Sequence, residues 1–150
     1  MKISEFTENH DFLSNFFQSI IEFDGVEWST AEHLYQARKS IIPEEREFIR
    51  QLISPGKAKR KGKKLTLRAE WETVKVDIML DCLRLKFSQN QDIALRLVNT
   101  GDAYLCEGNY WHDNYWGNCD CDECEEVHPQ NNLGKCLMVI REELISLYNN

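Results

Sequence analysis

At 150 residues, with 42% hydrophobic and 29% charged side chains, the chain has the make-up of one soluble globular domain able to bury a core. A formal charge of −7 argues against broad coating of nucleic acid, which needs many Lys and Arg contacts to phosphate, and no apolar run reaches the ~20 residues of a membrane span. Met1-Lys2-Ile3-Ser4-Glu5 lacks the apolar core of an export signal, so the expected compartment is cytoplasmic and the six cysteines are expected as reduced thiols or metal ligands.

In chain order, Ile20-Ile21-Glu22-Phe23 and Val26-Glu27-Trp28 flank Asp24-Gly25, a dipeptide that favours the positive φ of a hairpin turn. Ser29 is placed to cap the following helix, with Glu32 three residues on to complete a capping box, and the helix is expected through Lys39. Glu32, Gln36 and Lys39 then share one polar stripe at i, i+4 and i+7. Pro43 starts a second helix whose apolar stripe is Phe48, Ile49, Leu52 and Ile53, ended by Ser54-Pro55-Gly56. Six basic residues from Lys57 to Lys64 form a cationic run in an acidic chain. A long helix from about residue 69 to 87 carries Trp71, Val74, Ile78, Cys82, Leu83 and Leu85. A short helix follows with Ile93, Leu95, Leu97 and Val98, then a turn at Thr100-Gly101-Asp102 and a strand over Ala103–Glu107. Residues 109–131 read as irregular, and Asn132 caps a last helix with Leu133, Leu137, Ile140 and Leu144 inward. Five helices and short strands make an α+β, mainly helical fold. With no repeat and no linker, residues 1–150 read as one domain carrying a Cys-rich loop at about 118–128.

Two constellations carry chemistry. The first is the polar stripe after Trp28, which suits a sugar, a phosphate and an attacking water. The second is Cys119, Cys121 and Cys124, which with His112 or His128 can close around one tetrahedral ion; a structural zinc is expected, with no cofactor required for catalysis. Cys82 and Cys136 read as core, and Cys106 lies in an apolar strand.

The ordered motifs resemble the YbiA-like, or NADAR, family. They are Phe12-Leu13-Ser14-Asn15-Phe16, Trp28-x-Thr30-x-Glu32-His33-x-x-Gln36-Ala37-x-Lys39, Pro55-Gly56-x-Ala58-Lys59-x-x-Gly62, Arg68-x-x-Trp71, Met79, Lys86-Phe87, Thr100-Gly101-Asp102-Ala103, Glu107, Trp116-Gly117 and Asn132-x-Gly134-Lys135-x-Leu137-Met138-x-x-Arg141. The match spans nearly the whole chain, with the Cys-rich loop interrupting the pattern. The resemblance implies a YbiA-like fold and an N-glycosidase acting on a phosphorylated riboside. The implied substrates are a phosphoribosylamino-pyrimidine of riboflavin synthesis, ADP-ribosyl-arginine on protein, or ADP-ribosyl-guanine in DNA.

Breaking a C1′–N bond builds positive charge on ribose, so a carboxylate beside C1′ stabilises that charge and takes a proton from water. By motif match Glu32 is the candidate, although its place also suits a helix cap, where the dipole would lower its pKa. Asp113 is the second catalytic candidate and Glu107 a further carboxylate at a strand end; loop hydrogen bonding is the alternative for both. His33 or His112 can assist the leaving group. Lys39 is the phosphate candidate, with Lys57, Lys59 and Arg60 behind it. Trp71 and Trp116 can stack on a base, and Trp28 either lines the site or packs the hairpin on the helix. Asn15 resembles the residue that would meet ribose hydroxyls; Phe16, Gln36 and Asn132 complete the expected substrate contacts. The rival readings are a module that binds ADP-ribose or a nucleotide without turnover, and a zinc-stabilised interaction protein.

Overall fold

The Asp24-Gly25 turn forms as its residues demand, both at positive φ (54° and 77°), and it closes an antiparallel hairpin in which Phe23 pairs with Val26 and Ile21 with Trp28. The computed structural model describes residues 1–150. Its order is β1 (Lys2–Ile3), a 3₁₀ turn (Glu8–Leu13), β2 (Gln18–Phe23), β3 (Val26–Thr30), α1 (Ala31–Ala37), α2 (Pro43–Arg50), α3 (Pro55–Gly62), α4 (Trp71–Gln89), α5 (Gln91–Val98), β4 (Tyr104–Leu105), a 3₁₀ turn (Asp122–Cys124) and α6 (Asn132–Tyr148). This is the mainly helical α+β class with a few short strands that the sequence led us to expect. The chain clusters into two units, Asn15–Asn90 and Met1–Ser14 with Gln91–Asn150.

In the Asn15–Asn90 unit, α1 follows β3 directly and is buried at all seven positions, with α2, α3 and α4 packed on it. Its cap is Thr30 rather than Ser29: the Thr30 hydroxyl accepts from the His33 amide at 3.1 Å. The hairpin holds Ser29 in the strand, which moves the cap on by one. Glu32 then falls at the second helical position, so the expected capping box does not form. The helix also ends earlier than expected, at Ala37, and Lys39 lies beyond it. The basic run, left without regular structure by the sequence reading, is helix α3. Ser54 caps it by accepting from the Lys57 amide, Pro55 opens it, and Ala58 and Gly62 are buried on its inner side. There are thus six α-helices where five were expected. In α2 only Ile49 is buried; Phe48 stays exposed, and because the helix ends at Arg50 the expected stripe residues Leu52 and Ile53 fall beyond it, with Ile53 exposed.

In the other unit, β1 and β4 pair in parallel, Lys2 with Tyr104 and Ile3 with Leu105, and α5 and β4 pack on α6. The start of α6 is organised by Asn131, not by an Asn132 cap: Asn131 adopts φ 49° and Asn132 is already helical. Asn131 Nδ2 donates to the Leu105 carbonyl at 2.8 Å and its Oδ1 accepts from the Glu107 amide at 3.0 Å. Gly134 lets β4 approach, since a Cβ there would sit 2.1 Å from the Leu105 carbonyl oxygen. The first amides of α6 are satisfied by an incoming loop: Asn131, Asn132 and Leu133 donate to the carbonyls of Gly117, Tyr115 and Trp116.

Candidate functional site

A wholly buried helix that carries Glu, His and Gln must satisfy them or present them to a ligand, because an unpaired buried polar group costs about 1–3 kcal/mol. His33 is satisfied. Its Nε2 lies 2.9 Å from the Leu52 carbonyl, which can only accept, so that nitrogen carries the proton; Nδ1 then accepts from the Thr30 hydroxyl at 2.8 Å. Both nitrogens are therefore engaged within the protein.

Glu32 is different. The residue is only 7% exposed, and its carboxylate accepts from Gln36 Nε2 at 2.8 Å, the i, i+4 partner on the same stripe. Its amide donates to the Asn15 carbonyl at 3.1 Å, which brings Asn15 beside it. Asn15 Nδ2 donates to the Met79 sulfur of α4 at 3.3 Å. Two buried oxygens here, Asn15 Oδ1 and Gln36 Oε1, have no hydrogen-bond partner. Gly62 makes the arrangement possible: a Cβ on it would fall 1.9 Å from Gln36 Oε1.

The electrostatics reverse one expectation. Burial pushes the Glu32 carboxyl above its ordinary value, and the Gln36 bond, Lys59, Lys39 and the Asn15 side chain pull it only partly back. Desolvation inside the packed unit outweighs the first-turn dipole, so Glu32 is a better proton acceptor than a surface glutamate. Lys39 is held below its ordinary pKa, chiefly by burial, while Glu32 acts to raise it. Lys39 Nζ lies 5.9 Å from the Tyr35 ring centroid. Lys59 faces this group from α3, whereas Lys57 and Arg60 are exposed.

Of the aromatic candidates in this unit, Phe16 is 43% exposed next to Asn15. Trp71 is buried with its ring 5.5 Å from Tyr35, and Trp28 is buried with Nε1 on the Phe23 carbonyl at 3.4 Å. Both rings are thus part of the packing around α1. The sequence reading quoted Lys86-Phe87 as a motif but gave Lys86 no role in the site. It is fully buried on α4, with Nζ 5.1 Å from the Phe87 ring centroid and 5.8 Å from that of Phe17. A Lys inside the apolar run Leu83-Arg84-Leu85-Lys86-Phe87 was the available signal.

The remaining candidates lie in the other unit. Asp113 Oδ1 accepts from the amides of Tyr115 and Trp116 at 3.1 and 2.9 Å, so this carboxylate organises its loop. Trp116 is half-buried, edge-on to Tyr115 at 5.0 Å. Glu107 is half-buried with its amide on Asn131, and Asn132 Nδ2 reaches Gln130 Oε1 at 3.4 Å. His112, Cys119, Cys121 and Cys124 come together, with their ligand atoms all within 4.8 Å of one another, and this set could hold a metal ion. Hydrogen bonds, first from the Cys121 backbone, lower the Cys119 thiol to about 7, while burial raises Cys124 to about 11. An open cleft of about 630 Å³ between β1 and α5 is lined by none of the expected site residues.

The NADAR domain profile matches residues 3–145, and the chain belongs to the NADAR family. Among its relatives, N-glycosidase YbiA of Escherichia coli (strain K12) is 36% identical over 140 residues, covering 92% of this chain and 84% of that protein. N-glycosidase Npun_R5314 of Nostoc punctiforme is 36% identical over 144 residues, covering 90% and 86%. Riboflavin biosynthesis protein VVA0006 of Vibrio vulnificus is 34% identical over 139 residues, which is 91% of this chain but 36% of that protein. The NMR structure of E. coli YbiA superposes with a TM-score of 0.84 at 34% identity, covering all of this chain and 87% of that one. The relatives' names place the family among hydrolases of N-glycosyl bonds.

Proposed function

We propose that this chain is an N-glycosidase that hydrolyses the ribose C1′–N bond of a phosphorylated riboside, with Glu32 as the carboxylate at C1′. The observation that carries the reading is the pair of unpaired buried amide oxygens, Asn15 Oδ1 and Gln36 Oε1, beside a buried carboxylate. All three are acceptors, and a set of unpaired acceptors calls for O–H donors. A ribose with two hydroxyls and an attacking water supplies them.

As the C1′–N bond lengthens, positive charge spreads over C1′ and the ring oxygen, and Glu32 stabilises it at close range in a poorly solvated site. Water then adds to C1′ and gives its proton to Glu32, whose raised pKa suits that role. Net, the water hydroxyl ends on C1′ and its proton on the departing nitrogen. Lys39 and Lys59 supply the cationic side for phosphate, and Phe16 offers a ring face to a base. In this reading Asp113 holds the Trp116 loop.

Relatives named N-glycosidase and riboflavin biosynthesis protein support a phosphoribosylamino-pyrimidine as the first substrate to test. The test is a side-by-side assay of that riboside, an ADP-ribosylated arginine peptide and ADP-ribosylated guanine in DNA, with Glu32→Gln as control. We expect release of the free sugar phosphate from the pyrimidine riboside, lost in the variant. Release at the wild-type rate by the variant would remove Glu32 from the mechanism. Tight binding of all three with no release would establish the non-catalytic module instead.

A further inference from the structure

We propose that His112, Cys119, Cys121 and Cys124 hold one structural Zn²⁺ that orders the loop bearing Asp113 and Trp116. The donor set is three thiols and one imidazole, the soft tetrahedral combination that selects zinc. The geometry already fits. His112 Nδ1 lies 3.4 Å from Cys124 Sγ, 3.4 Å from Cys121 Sγ and 3.9 Å from Cys119 Sγ. A tetrahedral ion with Zn–S of about 2.3 Å and Zn–N of about 2.0–2.1 Å requires N···S edges of about 3.6 Å. The observed values bracket that edge, and the spacing has room for one ion and not for a multi-iron cluster.

The surroundings agree. His112 Nε2, the nitrogen facing away from the thiols, lies 3.5 Å from Glu123 Oε2, the position of an outer carboxylate that orients a ligating imidazole. All three thiols are free, and pairing any two as a disulfide would strand the third. Most telling is what else the segment lacks. Between Glu107 and Asn131 the buried side chains are Cys119, Cys124, Asn114 and Asn131. A loop of that length with so few buried apolar side chains offsets little of its ordering entropy by burial. A metal held by four of its residues offsets it directly, as in small zinc modules. The amide of Cys119 donates to Asn114 Oδ1 at 2.8 Å, linking the cluster to the turn in which Asp113 holds Trp116.

The test is elemental analysis of protein purified from zinc-supplemented medium without chelator. About one zinc per chain is expected, retained in Glu32→Gln and reduced at least about tenfold in Cys119→Ser/Cys121→Ser. Should that variant fold poorly, the wild type alone decides the matter. Replacing the metal with cobalt should give the intense visible bands and thiolate charge-transfer band of a tetrahedral sulfur-rich site. Maleimide labelling of the half-exposed Cys121 should speed up once the metal is stripped and slow again when zinc is restored. Less than about a tenth of an equivalent of zinc, with labelling of Cys121 indifferent to added zinc, overturns the proposal. None of these readouts depends on turnover, so they stand or fall apart from the glycosidase reading.

Discussion

Gly62 touches no substrate in the proposed mechanism, yet changing it to alanine should impair catalysis. The added Cβ would meet Gln36 Oε1 at 1.9 Å, Cδ at 2.7 Å and Cβ at 3.2 Å. The first two atoms end a flexible side chain and can swing aside; the third is fixed by helix α1 and must yield by a few tenths of an ångström. When Gln36 swings, the 2.8 Å bond from its Nε2 to Glu32 breaks. A hydrogen bond to a charged group is worth about 1.5–3 kcal/mol. Lost in full from the transition state, that is about a 10- to 150-fold fall in kcat/KM. The better helix propensity of alanine returns at most about 1 kcal/mol of stability, and it does nothing for the carboxylate. Losing the Gln36 bond also removes the largest influence opposing desolvation, so the Glu32 pKa rises further. The acid limb of the pH–kcat/KM profile should therefore move to higher pH. Steady-state kinetics on the phosphorylated riboside across pH, with circular dichroism to check folding, provides the readout. In a Gln36→Ala background the clashes with Oε1 and Cδ are gone and only the 3.2 Å Cβ contact remains, so Gly62→Ala should add little. A single variant with wild-type kcat/KM and an unmoved acid limb would refute the geometry.

Glu32→Gln should cut turnover by about 10²–10⁴-fold and at the same time raise the melting temperature. A carboxyl whose folded pKa is raised contributes stability that is full below the ordinary value of 4.5 and lost as pH rises through the folded value. The neutral amide escapes that loss, so the gain should appear near neutral pH and vanish in acid; each 1 kcal/mol released is worth about 2–4 °C by calorimetry. Lys39→Gln should raise KM about tenfold for a phosphorylated riboside and much less for its dephosphorylated form, with the difference shrinking at high salt. Asn131→Ala removes the bonds to Leu105 and Glu107 and places alanine at φ 49°, so urea denaturation should show a loss of about 2–4 kcal/mol.

Several features were legible from residues alone because their causes are local. Asp24-Gly25 announces its turn by the positive φ it tolerates, and Pro43 its helix start by its fixed φ. The apolar spacing of α4 and α6 shows their inner faces without any knowledge of partners. The thiols of the candidate metal cluster were legible for a related reason: three thiols within six residues can scarcely avoid one another, though choosing His112 over His128 needed the fold that brings its ring to them. Ordered motifs likewise pointed to the family, since the residues that build a shared site recur in a shared order.

Other features waited on tertiary structure because their causes are distant in sequence. Whether Ser29 or Thr30 caps α1 depends on how far the hairpin ladder runs. The basic run becomes a helix because Ala58 and Gly62 find α1 to pack on, a partner no local pattern reveals. That the Glu32 pKa rises rather than falls follows from three helices closing over a seven-residue helix and stripping it of water. The chain alone specified which chemical groups are present and how they are spaced. Only packing decided which of them lost their water and were left without a partner, because desolvation depends on everything around a group and not on its neighbours along the chain.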